Sequence, residues 1–332
     1  ARGTWSQYTA APALRSLCPP CIPFRMTREL PPTIDPVAAA RWAALPLGAG
    51  LPRAGSEGAS PWLHEEVARR MEERLGWIKL QPQQWAHWEA VRGGLQAHGL
   101  LARRYPKAAC FVVEDSAARA KVATSALARP WWSPSRWTTA PVQVGLPPEA
   151  GVQMLWSNML LHQVADPQAL IARWHRALAV DGFLMFSCLG PDTLRELREL
   201  YRALGWPEPA HAFTDMHDWG DMLVQAGFAE PVMDMERITL TFATPQRLLL
   251  ELRELGRNLH PGRFAGLRGR GWLGHLHQAL ARSLPGAEEG GPLRLSFEVN
   301  YGHAFRPAAR ARVQAESQIS LEEMRRTLRQ RK

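Results

Sequence analysis

Glu114 follows the apolar run ACFVV at 109–113, and a carboxylate at the end of such a strand is placed to hydrogen-bond the ribose hydroxyls of a nucleotide. Asp115 beside it reads as a helix cap. A second concentration of chemistry is RNLHPGRFAGLRGRG at 257–271, which holds four arginines and no acid. Such a loop either meets an acidic partner, complementary charge speeding the encounter, or stays solvated. Cys18 and Cys21 form a CPPC pair in a Pro-rich stretch, where a redox or metal role would need a fold around it. His211 and His217 have no ligand-spaced partner, so no metal site is expected and both read as loop or cap residues. Trp131 and Trp132 could line a pocket, with core filling the simpler account. No Ser–His–Asp set and no pair of carboxylates stands out.

The elements that would hold these residues alternate in type. A helix starts with Ser60 as N-cap and Pro61 at its first position, carries Leu63, Val67, Met71 and Leu75 at i+4 spacing, and stops at Gly76. Strand-type runs follow at 109–113, 152–156 and 183–188, with Cys110 and Cys188 as inert core residues inside them. Between the runs lie an Ala-rich helix at 115–128 and a helix at 167–179 entered through Asp166-Pro167, and Asp181-Gly182 reads as a turn. Strands alternating with helices predict an open parallel α/β sheet. Past residue 190 the pattern becomes helices at 192–204, 216–226 and 246–256 with alternating strands at 232–242 and 293–301.

Two stretches carry a resemblance. SNMLLHQVADP at 157–167 followed by ALAVDGFLMFS at 177–187 resembles the second half of a class I S-adenosylmethionine methyltransferase. GPDTL at 190–194, DMHDWGDMLVQAGFAEPVMDMERITLTF from Asp215 and FEVNYGHAF from Phe297 resemble the malonyl-acyl-carrier-protein O-methyltransferase family of biotin synthesis, and HEEVARRMEERLGWIKLQP from His64 fits it too. The resemblance spans about residues 60–306 and implies an α/β fold, a Rossmann-like class I methyltransferase sheet with a C-terminal α+β substrate cap. The divisions it implies are a Pro/Gly-rich leader and linker at 1–60, the Rossmann-like domain at 61–190, the cap at 191–305 and a basic tail at 306–332. It also implies S-adenosylmethionine as cofactor, faced by Gly93, Gly94, Glu114 and Asn158. Tyr301 and His303 would be catalytic, and Arg263, Arg268 and Arg270 would face the substrate or an acyl carrier protein. Methyl transfer to a carboxylate needs alignment rather than a general base, because the nucleophile is already ionised.

The chain departs from the family at its first loop, HWEAVRGG at 87–94. His87 stands where an acid is expected, and Glu89 and Val91 stand where glycines let the backbone approach the cofactor. Glu89 would also set a carboxylate beside the cofactor's own. Ala140-Pro141-Val142 lack the acid expected before the next loop, and Gln153 replaces an Asp at the fourth strand. These departures leave a second class of function open, a non-catalytic methyltransferase-fold protein that has lost cofactor binding and serves as a protein-binding or assembly factor.

The formal charge of +9 on 332 residues is concentrated at the ends: residues 1–25 carry three arginines and no acid, and 306–332 carry seven arginines and a lysine against three glutamates. A body left so nearly neutral excludes the basic stripe of a nucleic-acid binder. The absence of a long apolar run predicts no membrane span, and the sparse cysteines fit a cytoplasmic setting. Met26 is the expected start of the mature sequence.

Overall fold

A computed structural model describes residues 34–45, 60–128, 140–286 and 291–308, with 322 and 326 besides. In chain order its elements are α1 (Pro36–Ala44), α2 (Trp62–Arg74), β1 (Gln84–Trp88), α3 (Ala90–Gly93), α4 (Leu95–Arg104), β2 (Ala109–Val113), α5 (Ala117–Leu127), β3 (Val142–Val144) and β4 (Val152–Ser157). Then come α6 (Pro167–Ala177), β5 (Leu178–Leu189), α7 (Arg195–Ala203), α8 (Met216–Gln225), β6 (Ala229–Phe242), α9 (Pro245–Leu255), α10 (Arg270–Ser283) and β7 (Leu293–Phe305). Three helices begin with one device, a capping side chain followed by proline. Asp35 accepts from the Val37 and Ala38 amides at 2.8 and 3.1 Å, Asp166 from Ala169 at 2.9 Å, and Thr244 from Arg247 at 3.2 Å. Each proline lacks only an N–H that a first helical turn could not have paired.

The seven strands form a single sheet in the order β3-β2-β1-β4-β5-β7-β6. β1 runs parallel to β2 and β4, and β4 to β5, while β7 enters antiparallel between β5 and β6. Its parallel part, β3-β2-β1-β4-β5, is the open α/β sheet that the alternating strands predict. Side chains leave it on both faces, and the two faces carry different helices. Met154 and Trp156 pack with α2, α4 and α10, whereas Val152 and Leu155 pack with α6 and α8.

Several expectations change. The stretch 1–60 is not all leader and linker, because α1 lies in it and buries Ala39 and Trp42 against Leu259. Ser60 does not cap α2; its hydroxyl donates to the Val91 carbonyl at 2.9 Å and accepts from the Leu95 amide at 2.9 Å. Asp181-Gly182 is no turn but an irregularity within β5, with Asp181 at φ 61°. Helix α10 occupies a stretch that carries no element in the sequence reading, and β6 and β7 of the cap region join the main sheet. Cys18, Cys21, Met26, Trp131, Trp132 and nearly all of the basic tail lie outside the described residues.

Candidate functional site: a cleft and an apolar pocket

The order of strands turns outward in both directions from β1 and β4, and open α/β sheets form their crevice at such a point. A cavity of about 330 Å³ lies there, lined by Glu89, Asp115 and Arg119, by Gln163 from the loop after β4, and by Trp42 of α1. The loop after β1 opens with Glu89 in the left-handed region at φ 55° and ψ 49°. A residue with a Cβ gives up about 1–2 kcal/mol there. Its environment explains why it is held. The Glu89 amide donates to the Val113 carbonyl at 2.7 Å, and its buried carboxylate accepts from the Asp115 amide at 2.9 Å and meets the Arg119 guanidinium at 2.8 Å.

Arg119, only 2% exposed, also donates to Glu114 at 3.1 Å and to the Ala43 carbonyl of α1. Glu114 accepts from the Val91 amide at 2.7 Å through its other oxygen. Two buried carboxylates thus share one guanidinium. Burial, with the charge of Glu89 second, pushes the Glu114 pKa up to about 8. His87, another departure in this loop, does not line the cleft: its ring stacks on His98 with centroids 5.6 Å apart and planes 4° from parallel. Burial lowers its pKa well below the usual imidazole range.

The glycines at the end of the loop have other reasons to be glycine. A Cβ on Gly93 would stand 3.0 Å from the Asn158 carbonyl, and one on Gly94, at φ 136°, would stand 2.9 Å from the Glu65 carboxylate. Glu65 accepts from the Gln96 and Ala97 amides at 3.1 and 3.2 Å, closing the N-terminus of α4. Asn158 pins the loop from below. Its amide donates to the carbonyls of Gly93 and His64, and its oxygen accepts from Ser187 at 2.6 Å.

Beside the cleft lies a second cavity of about 220 Å³, walled by Leu197, Phe213, Leu249, Leu252 and Phe297 and carrying Arg253 and Arg257. Among the described residues no Asp or Glu lines it. Gln163 borders both cavities. Its oxygen accepts from the Trp42 indole N–H, and its NH₂ donates to the Leu255 carbonyl at 3.1 Å. The Trp42 ring carries Arg92 at 4.1 Å and Arg257 at 5.1 Å from its centroid. Trp42 and Gln163 are therefore the partition between the two spaces.

A malonyl-acyl-carrier-protein O-methyltransferase of Gallionella capsiferriformans is 40% identical over 262 residues, covering 76% of this chain and 87% of that protein. The chain belongs to the malonyl-acyl-carrier-protein O-methyltransferase family. The Laribacter hongkongensis protein of that name is 37% identical over 257 residues, 75% of this chain and 84% of its own. No protein-family profile matches. Among solved structures, the YcgJ protein of Bacillus subtilis matches with a TM-score of 0.48 and 13% identity over 74% of this chain and 99% of its own.

The donor of this methyltransferase family is S-adenosylmethionine, and the loop after β1 does not fit its polar end. Glu89 fills the first glycine position with a carboxylate, and Arg119 covers the acid that would take ribose hydroxyls. The amides of Val91, Leu95, Gln96 and Ala97 already have acceptors within the protein.

The other expected site residues are spread out. Of the cofactor set, Asn158, Gly93 and Gly94 serve the loop itself, and Glu114 is sealed under Arg119. Tyr301 and His303 line neither cavity. Antiparallel pairing sets them opposite Ser187 and Met185, within one residue of the level at which β1 and β4 end, so it is the direction of their side chains and not their height that keeps them out of both cavities. Tyr301 is buried beneath Arg74 and donates to Glu236 at 3.2 Å, and His303 packs between Phe183 and Phe305. Arg263 pairs with Asp35 at 2.7 Å, Arg268 stacks on Phe264 and Trp272, and Arg270 is exposed at the start of α10. The residues that sequence reasoning missed are Trp42, Arg119 and Gln163, while Arg257 opens the four-arginine loop that the sequence flags but was not chosen from it. Of the three, only Trp42 had a local signal, the Asp35-Pro36 start of its helix.

Proposed function

We propose that this chain methylates the free carboxylate of a malonyl group carried on an acyl carrier protein, with S-adenosylmethionine as the methyl donor. The observation that carries the reading is the pair of adjoining cavities at the carboxyl edge of the sheet, one ionic and one apolar, parted by the Trp42–Gln163 contact. Methyl transfer needs two ligands brought together in a water-poor space, and little else of the protein. A carboxylate is ionised at neutral pH and needs no base to activate it. That agrees with His162 and His211 at the apolar cavity, both of which burial holds toward the neutral form.

Arg268 and Arg270, with the exposed Phe264 and Leu267 just before them, offer an acidic carrier both charge and apolar surface. The filled loop, with the acids missing at 140–142 and at Gln153, is what stands on the side of a non-catalytic role, and the relatives named above, both enzymes by name, give that role no support. Calorimetric titration of the full chain with S-adenosylhomocysteine separates the two. Binding at micromolar strength, about −8 kcal/mol, supports the enzyme. No heat at millimolar ligand, for the chain and for Glu89→Gly alike, contradicts it.

A further inference from the structure

Arg257 is a cation in an unusual setting. It is half-buried, and its Nη1 donates to the carbonyls of Arg253 and Gly256 at the end of α9. One edge of the guanidinium is thereby fixed while Nε and Nη2 keep donors to offer. Burial, and then the charge of Arg253, lower its pKa from the ordinary arginine value, and no acid among the described residues offsets them. A desolvated guanidinium without a counter-charge is costly to keep, and proteins keep such groups where a ligand supplies the anion. The cavity it borders is walled mainly by apolar side chains, with Arg253, His162, His211, Gln163 and Asn258 as its other polar residues, and at about 220 Å³ it suits a short chain. Gln163, beside Arg257 through its bond to the Leu255 carbonyl, also borders the cleft.

We propose that Arg257 is the residue that recognises the substrate's free carboxylate, so that the apolar cavity selects short acyl chains ending in an acid over uncharged ones of the same size. This rests on the methyltransferase reading and adds to it a basis for product release. The substrate is an anion and the methyl ester is neutral, so the group that holds one does not hold the other. One carboxylate oxygen on Arg257 leaves the second oxygen available toward Gln163 and the cleft.

Malonyl-pantetheine and its methyl ester are the size-matched probes, titrated calorimetrically into the full chain without cofactor. The acid binds roughly ten- to a hundredfold more tightly than the ester, the range of a charge-assisted contact. Arg257→Gln brings the two affinities within about threefold, mainly by weakening the acid, while Arg257→Lys keeps part of the preference. Arg263→Gln, on the same loop but paired with Asp35, keeps all of it. A thermal melt of each variant shows that the fold survives, and the lysine variant carries the test if the glutamine variant does not. Equal binding of acid and ester by the unaltered chain, binding of neither, or a preference that survives Arg257→Gln overturns the assignment. A preference that depends on Arg257 in a chain that transfers no methyl group leaves the assignment standing and refutes the methyltransferase reading instead.

Discussion

The Trp42 indole N–H donates to the side-chain oxygen of Gln163, and through that contact helix α1 separates the two cavities of the site. The indole also carries Arg92 on the cleft side and Arg257 on the apolar side, so one side chain touches residues that line both spaces. A shift of α1 therefore alters both cavities at once.

Trp42→Phe keeps the packing of the ring and removes the N–H. Stability falls by about 1 kcal/mol, the net worth of one hydrogen bond, which urea denaturation reads. Methyl transfer falls by more than that loss of stability accounts for, roughly tenfold in kcat, because the partition no longer has a fixed position. An unchanged kcat would show that the contact only holds α1 in place.

The Glu89–Arg119–Glu114 group sets a pH dependence of stability. Glu114 has its pKa raised from the ordinary 4.5 to about 8 by burial and by Glu89. The unfolded chain releases this proton near 4.5 and the folded chain keeps it to about 8, so the unfolded state binds fewer protons in between. This contribution is complete below pH 4.5 and is lost as pH rises toward 8. Glu114→Gln removes that decline. Urea midpoints at several pH values across this window then flatten relative to the unaltered chain, and parallel slopes would contradict the assignment of the proton.

Asn158→Ala leaves the Gly93 and His64 carbonyls without their donor and the Ser187 hydroxyl without its acceptor. Each orphaned buried group costs about 1–3 kcal/mol, so the loss is of the order of 3 kcal/mol by chemical denaturation. A loss under about 1 kcal/mol would mean that Asn158 does not pin the loop.

Tyr301→Phe loses only the bond to Glu236. It lowers stability by about 1 kcal/mol and leaves methyl transfer within about twofold. A tenfold loss of transfer at unchanged stability would restore Tyr301 to the site.

The sequence carries the fold more openly than the site, and particular residues show why. The runs at 109–113, 152–156 and 183–188 are strands because they are buried on both faces, and their apolar continuity is visible without any partner. Asp166-Pro167 and Thr244-Pro245 announce their helices, and Asp35-Pro36 does the same within a stretch whose composition hides it. Arg119 is different. It lies in an Ala-rich helix where an arginine reads as solvated, and its burial depends on carboxylates from two separate loops. Tyr301 and His303 come with the final strand and Tyr301 stands level with the carboxyl edge, but its ring goes under Arg74 of α2 and into neither cavity, and only the packed sheet shows which face it takes. Glu89 is the reverse case. Its mismatch with a glycine position is plain in the sequence, while the buried ion group that stabilises it is visible only in three dimensions.

The most direct test of the account is transfer itself. The full chain is incubated with methyl-labelled S-adenosylmethionine and malonyl-acyl carrier protein, with acetyl-acyl carrier protein as the control. The account predicts base-labile label on the malonyl carrier and none on the acetyl carrier. No label on the malonyl carrier, under conditions where a relative of the same family transfers it, would contradict the central claim that this fold joins a methyl donor in its cleft to a carboxylate in its apolar cavity.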